Sequence, residues 1–202
     1  MHLDVSAASV LDVYRLLVEV VTPRPIAWVT SVDREGRVNL APFSFFNAFG
    51  ANPPVVVFSP TLRRDGTKKD TLRNVEAIGE FVIHAAVESL AREVNLSSKE
   101  LPFGDSEVAL AGLKLIPSLR VKPPRLAEAP TALECRLIQI VPIGSGPIAA
   151  NLVIGEVLMF HVDDAVLDEH GRVDPRKLRT IARLGGDYYC RSTDLFEMKR
   201  PM

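Results

Sequence analysis

Two short segments carry the residues with the clearest chemistry. Residues 39–47 read Asn-Leu-Ala-Pro-Phe-Ser-Phe-Phe-Asn, and Phe49 follows. Phenylalanines at 43, 45, 46 and 49 suit neither a helix nor a simple alternating strand. A flat apolar surface edged by backbone amides and small polar side chains would explain them, and a planar heterocyclic cofactor needs such a surface. Taken alone, the segment also reads as core, because phenylalanines at a hairpin end pack inside. The second segment, Lys68-Lys69-Asp70-Thr71, sets two cations, a hydroxyl and free backbone N–H groups at an expected helix start. Unsatisfied amides and the helix dipole both favour phosphate there. Arg63 and Arg64 are near enough in sequence to add charge-assisted hydrogen bonds. The plainer reading is an ordinary N-cap with solvated lysines. An Asp70 carboxylate that caps the helix would compete with phosphate for the same amides.

Other constellations are weaker. Gly144-x-Gly146-x-x-Ala149 matches a loose dinucleotide fingerprint, which works only where glycines lead from a strand into a helix. Here Pro147 follows and a strand-like run resumes at Asn151, so the segment reads as a hairpin loop. In Arg183-Leu184-Gly185-Gly186-Asp187-Tyr188-Tyr189, glycines, an arginine and aromatics would line a ligand edge. Taken alone, a helix C-cap with packed tyrosines is the preferred reading. His84 and His161 lie in strand-like runs and read as hydrogen-bonded core or rim residues. Cys135 has one arginine beside it and little else to favour a thiolate. The two cysteines and four histidines show no metal-ligand spacing.

These segments must be positioned by regular elements. Apolar residues at Val10, Val13, Leu16 and Leu17 predict a short helix over 9–19, stopped by Thr22-Pro23-Arg24-Pro25. Residues 26–31 predict a strand, 33–36 a turn, 38–41 the return strand, and 54–59 a buried strand. A helix is expected over 70–78, with Asp70 as N-cap and Gly79 at its end. A strand over 80–85 and a helix over 88–96 follow. Residues 97–131 read as a proline-rich loop that wraps the body of the protein, with a strand at 113–116. Long strands are expected over 132–141 and 152–162. Asp174-Pro175 predicts a final helix that runs to Gly185-Gly186. Short strands without βαβ alternation predict a small antiparallel barrel with peripheral helices.

The chain has 202 residues, 47% of them hydrophobic, which is enough for a sizeable core and fits one domain over 1–202. The net charge of -1 argues against a general nucleic-acid binder. No apolar run reaches the roughly 18 residues of a membrane span, and no signal peptide is recognised. A cytoplasmic protein is the expectation.

Together these segments resemble the flavin reductase-like family, the FMN-binding split-barrel flavoproteins that include flavoredoxin. The resemblance rests on Thr22-Pro23-Arg24-Pro25-Ile-Ala-Trp-Val-Thr30, Gly36-Arg-Val-Asn39-Leu-Ala-Pro-Phe-Ser-Phe-Phe46 and Pro53-Pro54-Val-Val-Val-Phe-Ser59. Lys69-Asp70-Thr71, Glu80-Phe-Val-Ile-His84 and Arg183-Leu-Gly-Gly186 with Tyr188 continue it in the family order. It covers about 22 to 189 and implies a mainly β, FMN-binding split barrel with short peripheral helices. The cofactor-binding residues it implies are Arg24, Ala41, Pro42, Phe43, Ser44, Phe45, Phe46, Asn47, Lys69, Asp70 and Thr71. Residues 41–46 would lie along the isoalloxazine and ribityl chain, and Lys69 and Thr71 would hold the phosphate. Arg24 would stand near the site. The Lys69 and Thr71 side chains are then expected to be exposed in the absence of ligand. His84 departs from the pattern, since many relatives carry asparagine there.

The resemblance also implies a homodimer and an NADH- or NADPH-dependent reductase of FMN, with a monooxygenase as a possible recipient of reduced flavin. The flavin carries the difficult redox step, so no acid–base dyad is required. An FMN-containing electron-transfer protein without efficient nicotinamide turnover is the alternative. A related barrel that holds another ligand is a third reading.

Overall fold

The computed structural model describes residues 1–102 and 105–201. Phe103 and Gly104, which fall in the expected wrapping loop, lie outside the described residues. The elements in chain order are α1 (Val10–Val20), β1 (Arg24–Pro25), β2 (Ala27–Val32), β3 (Val38–Phe43), β4 (Phe46–Ala51), β5 (Pro54–Phe58), α2 (Asp70–Ile78) and β6 (Glu80–Ala85). Then come α3 (Ala91–Leu96), α4 (Glu107–Ala111), β7 (Leu115–Ile116), β8 (Arg125–Leu126), β9 (Thr131–Ile143), β10 (Ala150–Val162), α5 (Pro175–Leu178), β11 (Ile181–Arg183) and β12 (Tyr189–Arg191).

Seven strands form one antiparallel sheet in the order β3-β2-β6-β9-β10-β5-β4. Its two edge strands, β3 and β4, are consecutive in sequence and separated only by Ser44 and Phe45. Three peptide steps reach at most about 11 Å, so the sheet must curl until its edges nearly meet. The result is a barrel split between β3 and β4. Phe45 belongs to the strap across the split, and its carbonyl accepts the Ser59 N–H at 2.9 Å. A small sheet, β1-β11-β12, covers one side, and β7 pairs with β8.

The barrel interior holds Val29, Phe43, Phe58, Phe81 and Val153, joined by Leu72 and Val75 of α2. The Phe58 ring centroid lies 5.3 Å from those of Phe43 and Phe81. A second cluster lies outside the sheet: Trp28 and Leu40 pack with Val94, Val108 and Leu126. This explains why β2 is buried without interruption. Ala27 and Val29 face the interior while Trp28 faces the outer layer, so both faces of the strand are covered.

Most expected elements form, with specific differences. Lys69, not Asp70, occupies the N-cap of α2, and no side chain caps that end. Asp70 is the first helical residue and is held by Arg63 at 3.0 Å. The helix expected over 88–96 divides into a 3₁₀ turn, Glu88–Leu90, and α3. The wrapping segment contains α4 and the β7–β8 pair, with β7 shorter than expected. The final helix starts as expected, with Asp174 accepting the Arg176 N–H at 2.8 Å, but it stops at Leu178. Arg179 takes φ +50° and the chain turns into β11, which pairs with β1 through Arg24↔Arg183 and Pro25↔Ala182. Strand pairing therefore overrides the helix. Gly185 and Gly186 lie in the β11–β12 turn and are not a helix cap. Among the described residues no helix is long and apolar enough to cross a membrane.

Candidate functional site: a groove between the third strand and the second helix

The two segments singled out by chemistry do converge. Asn39, Ala41, Pro42 and Phe43 of β3 form one wall of a cavity of about 150 Å³, and Lys69, Asp70 and Thr71 form another. Arg63 closes one end, and Ser97, Ser98, Lys99, Glu100 and Glu107 line the remainder. A second cavity of about 180 Å³ adjoins it through the shared residues Pro42 and Ser98. Ser44, Ile26, Arg183 and Tyr189 line this extension. The Arg183 guanidinium lies 4.5 Å from the centre of the Tyr189 ring and donates to the Gly186 carbonyl at 2.7 Å. The two cavities make one groove, with most of its cations, Arg63, Lys69 and Lys99, in the first part.

The chain builds the Lys69 side of the groove from a helix start that no side chain caps. Without a side-chain cap on α2, its first-turn amides remain available to an external acceptor. The competition expected from Asp70 does not arise, because its carboxylate turns to Arg63 and, at 3.7 Å, to Arg73. Arg63 also donates to the Lys68 carbonyl, so this guanidinium braces the turn. Lys68 points away and pairs with Glu76 at 2.7 Å. Arg64 is exposed and lines neither cavity. The half-buried Lys69 ammonium is different. It sits 5.8 Å from the Phe43 ring centre, and among the described residues no carboxylate comes within ion-pair distance of it. Burial pushes its pKa down, with Glu100 pulling weakly the other way. An anion entering the groove would offset that cost by Coulomb attraction.

Thr71 is fully buried and its Oγ1 accepts the Asn39 side-chain amide at 2.8 Å, against the expectation of an exposed hydroxyl. Phe43 lines the groove with its edge but packs its ring in the core. The remaining expected residues disperse. Phe45 packs edge-on against Tyr14 at 6.3 Å, and Phe46 lines a separate apolar cavity with Ile26, Ile83 and Leu133. Asn47 is exposed on β4, where its side chain accepts the Ala48 N–H. Arg24 is buried, and its guanidinium is spent on the carbonyls of Val18, Val21 and Leu184. It touches the site only through Ser44 Oγ, at 3.4 Å.

The sequence reading missed the 97–101 segment and Glu107. The pair Ser97-Ser98 after an amphipathic stretch was the available signal, but nothing local placed it beside β3. Trp28 does so by donating from Nε1 to Ser97 Oγ at 2.8 Å. His84 is structural: Nε2 accepts the Leu126 N–H and Nδ1 faces the Trp28 carbonyl, each at 3.0 Å. Burial pushes its pKa down to about 4, so the ring is neutral with the proton on Nδ1. His161 bonds the fully buried Glu134 at 2.7 Å, far from the groove in the fold. The Cys135 thiol is buried and its pKa is pushed up, so it is inert.

A curled antiparallel barrel with an amide-rich, lysine-bearing groove beside its split defines a flavoprotein-type split barrel. Residues 21–181 match the family model described as the flavin reductase like domain, and the chain belongs to that family. It is a flavin-related oxidoreductase at that level of description. The chain is 43% identical over 203 residues to an uncharacterized protein of Halalkalibacterium halodurans, covering 100% of this chain and 97% of that one. Among solved structures it is similar to nitrilotriacetate monooxygenase component B from Bacillus cereus, with 38% identity, a TM-score of 0.92 and 98% of each chain covered. It is also similar to the 2-nitrobenzoate 2-nitroreductase of Pseudomonas fluorescens, with 33% identity, a TM-score of 0.89, and 100% and 96% of the two chains covered.

Proposed function

We propose that this protein is an NAD(P)H-dependent oxidoreductase that binds FMN in the β3–α2 groove through a single domain spanning 1–202. The observation that carries the reading is the unpaired Lys69 ammonium beside the uncapped start of α2, at one end of a groove walled by Ala41, Pro42 and Phe43. These residues fit a phosphorylated planar ligand. Lys69 and the α2 amides would hold the phosphate, with Thr71 fixing the turn and Asp70 kept neutralised by Arg63. The β3 backbone from Ala41 to Ser44 would lie along the ring and its polyol tail. Arg24 would position Ser44. Phe45, Phe46 and Asn47 would support the strap and leave direct contact to their neighbours.

FMN, when bound, supplies the chemistry of accepting and releasing electrons. The protein's part is to hold and orient it, and to keep water from the apolar side of the groove. The likeness to a monooxygenase component supports a role in supplying reduced flavin to a partner oxygenase, and the cytoplasm is the compartment proposed for it. Exposed Val10, Leu11 and Leu17 on α1 and Phe49 on the edge strand β4 support a homodimer, since they leave apolar surface for a second copy.

Absorption of the purified protein, followed by NADH and NADPH oxidation with added FMN, tests the reading. Flavin bands with steady FMN-dependent nicotinamide oxidation are the expected result. Slow single-turnover reduction would favour an electron carrier. Protein that takes up no FMN at high concentration would overturn the assignment.

A further inference from the structure

Glu107 is the unexplained residue of the groove. It is 7% exposed at the start of α4 and lines the same cavity as Lys69, Arg63 and Thr71. Its Oε2 accepts the Leu40 N–H at 3.1 Å, which fixes the carboxyl against β3. Among the described residues no lysine, arginine or histidine comes within ion-pair distance of it. The cavity therefore contains a cation without a carboxylate and, in the same enclosure, a carboxyl without a cation. A simple anion cradle would not include the second.

We propose that Glu107 is a further ligand-binding residue whose protonation licenses phosphate binding, so that this groove takes up a proton together with FMN. The inference rests on the flavin reading of the groove. Its physical basis is the charge the carboxyl faces. From α2 it meets Asp70, and from its own approach segment Asp105, and both oppose its ionisation. From the facing segment Lys99 and Glu100 enter the cavity with opposite signs, and from the preceding loop Arg63 is already committed to Asp70. Of the remaining groove cations, Lys69 stands at the start of α2, and it is the one the phosphate would use. Burial raises the Glu107 pKa, the Leu40 N–H bond and its own backbone N–H pull against it, and Asp70 and Asp105 add to the rise. Protonated, the carboxyl still accepts from Leu40 and gains a donor for a phosphate oxygen. Ionised, it places a second negative charge inside the phosphate enclosure.

The test is equilibrium binding of FMN and of riboflavin to the full chain from about pH 6 to about pH 8.5, in wild type and Glu107→Gln. Gln keeps the acceptor for Leu40 and cannot ionise. In the wild type the Kd for FMN should rise with pH, by at most tenfold per pH unit, the limit set by one linked proton. In Glu107→Gln that rise should vanish, and riboflavin should bind both proteins without the pH trend. The phosphate's own second ionisation, near pH 6, acts in the opposite sense and is common to both proteins. Should the variant not fold, the contrast between FMN and riboflavin in the wild type decides. FMN curves that move in parallel in the two proteins, or an equal trend for riboflavin, overturn the inference and leave the flavin site standing. Failure of both flavins to bind at any pH overturns the flavin reading and this inference with it.

Discussion

The Asn39 side-chain amide donates to Thr71 Oγ1 at 2.8 Å and so fastens β3 to the first turn of α2. This single bond sets one wall of the groove against the other, and it divides the roles of two residues that the sequence offered as equivalents. Thr71 belongs to the scaffold, whereas Lys69 is a cation with no ion-pair partner among the described residues. Thr71→Ala leaves a half-buried amide short of its acceptor, which costs about 1 kcal/mol, and it should lower the Tm along with flavin affinity. Lys69→Ala should weaken FMN about ten- to a hundredfold, leave riboflavin binding unchanged and barely move the Tm. Calorimetry and fluorescence titration of the two variants separate these effects. A Tm loss in Lys69→Ala with FMN affinity intact would place the phosphate elsewhere.

His84 makes the fold acid-sensitive. The folded pKa of about 4 lies below the ordinary 6.5, so between these values the unfolded chain binds the extra proton. Stability is fully present above about pH 6.5 and is lost as pH falls towards 4, by up to about 3 kcal/mol. Protonation would also cost Nε2 its role as acceptor of the Leu126 N–H. His84→Gln should flatten the Tm profile in this window while lowering the plateau near neutrality. Glu134, whose pKa is lowered, contributes in the same direction at lower pH, so a residual slope in the variant is expected. An unchanged profile would contradict the neutral buried imidazole.

Why was the barrel legible in the sequence while parts of the site were not? The β2, β5, β6, β9 and β10 strands follow from β-branched runs bounded by turn residues, which is local information. Lys69, Thr71 and residues 41–43 were found because a helix start and an amide-rich strand end each have a local signature. Glu107 and Ser98 have none: their place depends on α4 folding back on β3 over some 67 residues of intervening chain. The final helix failed for the reciprocal reason. Asp174-Pro175 starts it correctly, but β1 then recruits Ala182 and Arg183, and only tertiary pairing records that choice. Residues 45–47 do not line the groove, because the split in the barrel, which their composition does not reveal, sets them apart from it.

Glu134 is a buried carboxylate used as a peg. It accepts the Leu119 N–H at 2.8 Å and the Arg120 N–H at 2.5 Å, and it takes His161 at 2.7 Å. These bonds hold the proline-rich segment between β7 and β8 against the barrel, as the wrapping reading expects. Glu134→Gln retains one oxygen and adds a donor where two amide donors converge, so at least one amide loses its partner. A loss of about 3 kcal/mol is expected, in the range for a broken buried ionic group. Hydrogen exchange at Leu119 and Arg120 should accelerate more than exchange in β2. Uniform acceleration across the sheet would mean the peg stabilises the barrel globally and does not specifically anchor that segment.

Gly155 shows how closely the barrel wall is packed. A Cβ built there would stand 2.4 Å from Cζ and 3.1 Å from Cε1 of Phe81, well inside van der Waals contact. The position lies at a register shift between β10 and β9, so the strand bends inward where the ring rises to meet it. Phe81 cannot retreat freely, because its ring packs against Phe58, which in turn packs against Phe43 at the groove. Gly155→Ala should therefore cost about 2–3 kcal/mol through overpacking. Gly155→Ala combined with Phe81→Leu should recover part of that loss, since removing the ring opens the space the methyl needs. The rescue is the discriminating measurement. A double variant no more stable than Gly155→Ala alone would show that the glycine is required by its backbone conformation and not by the ring above it.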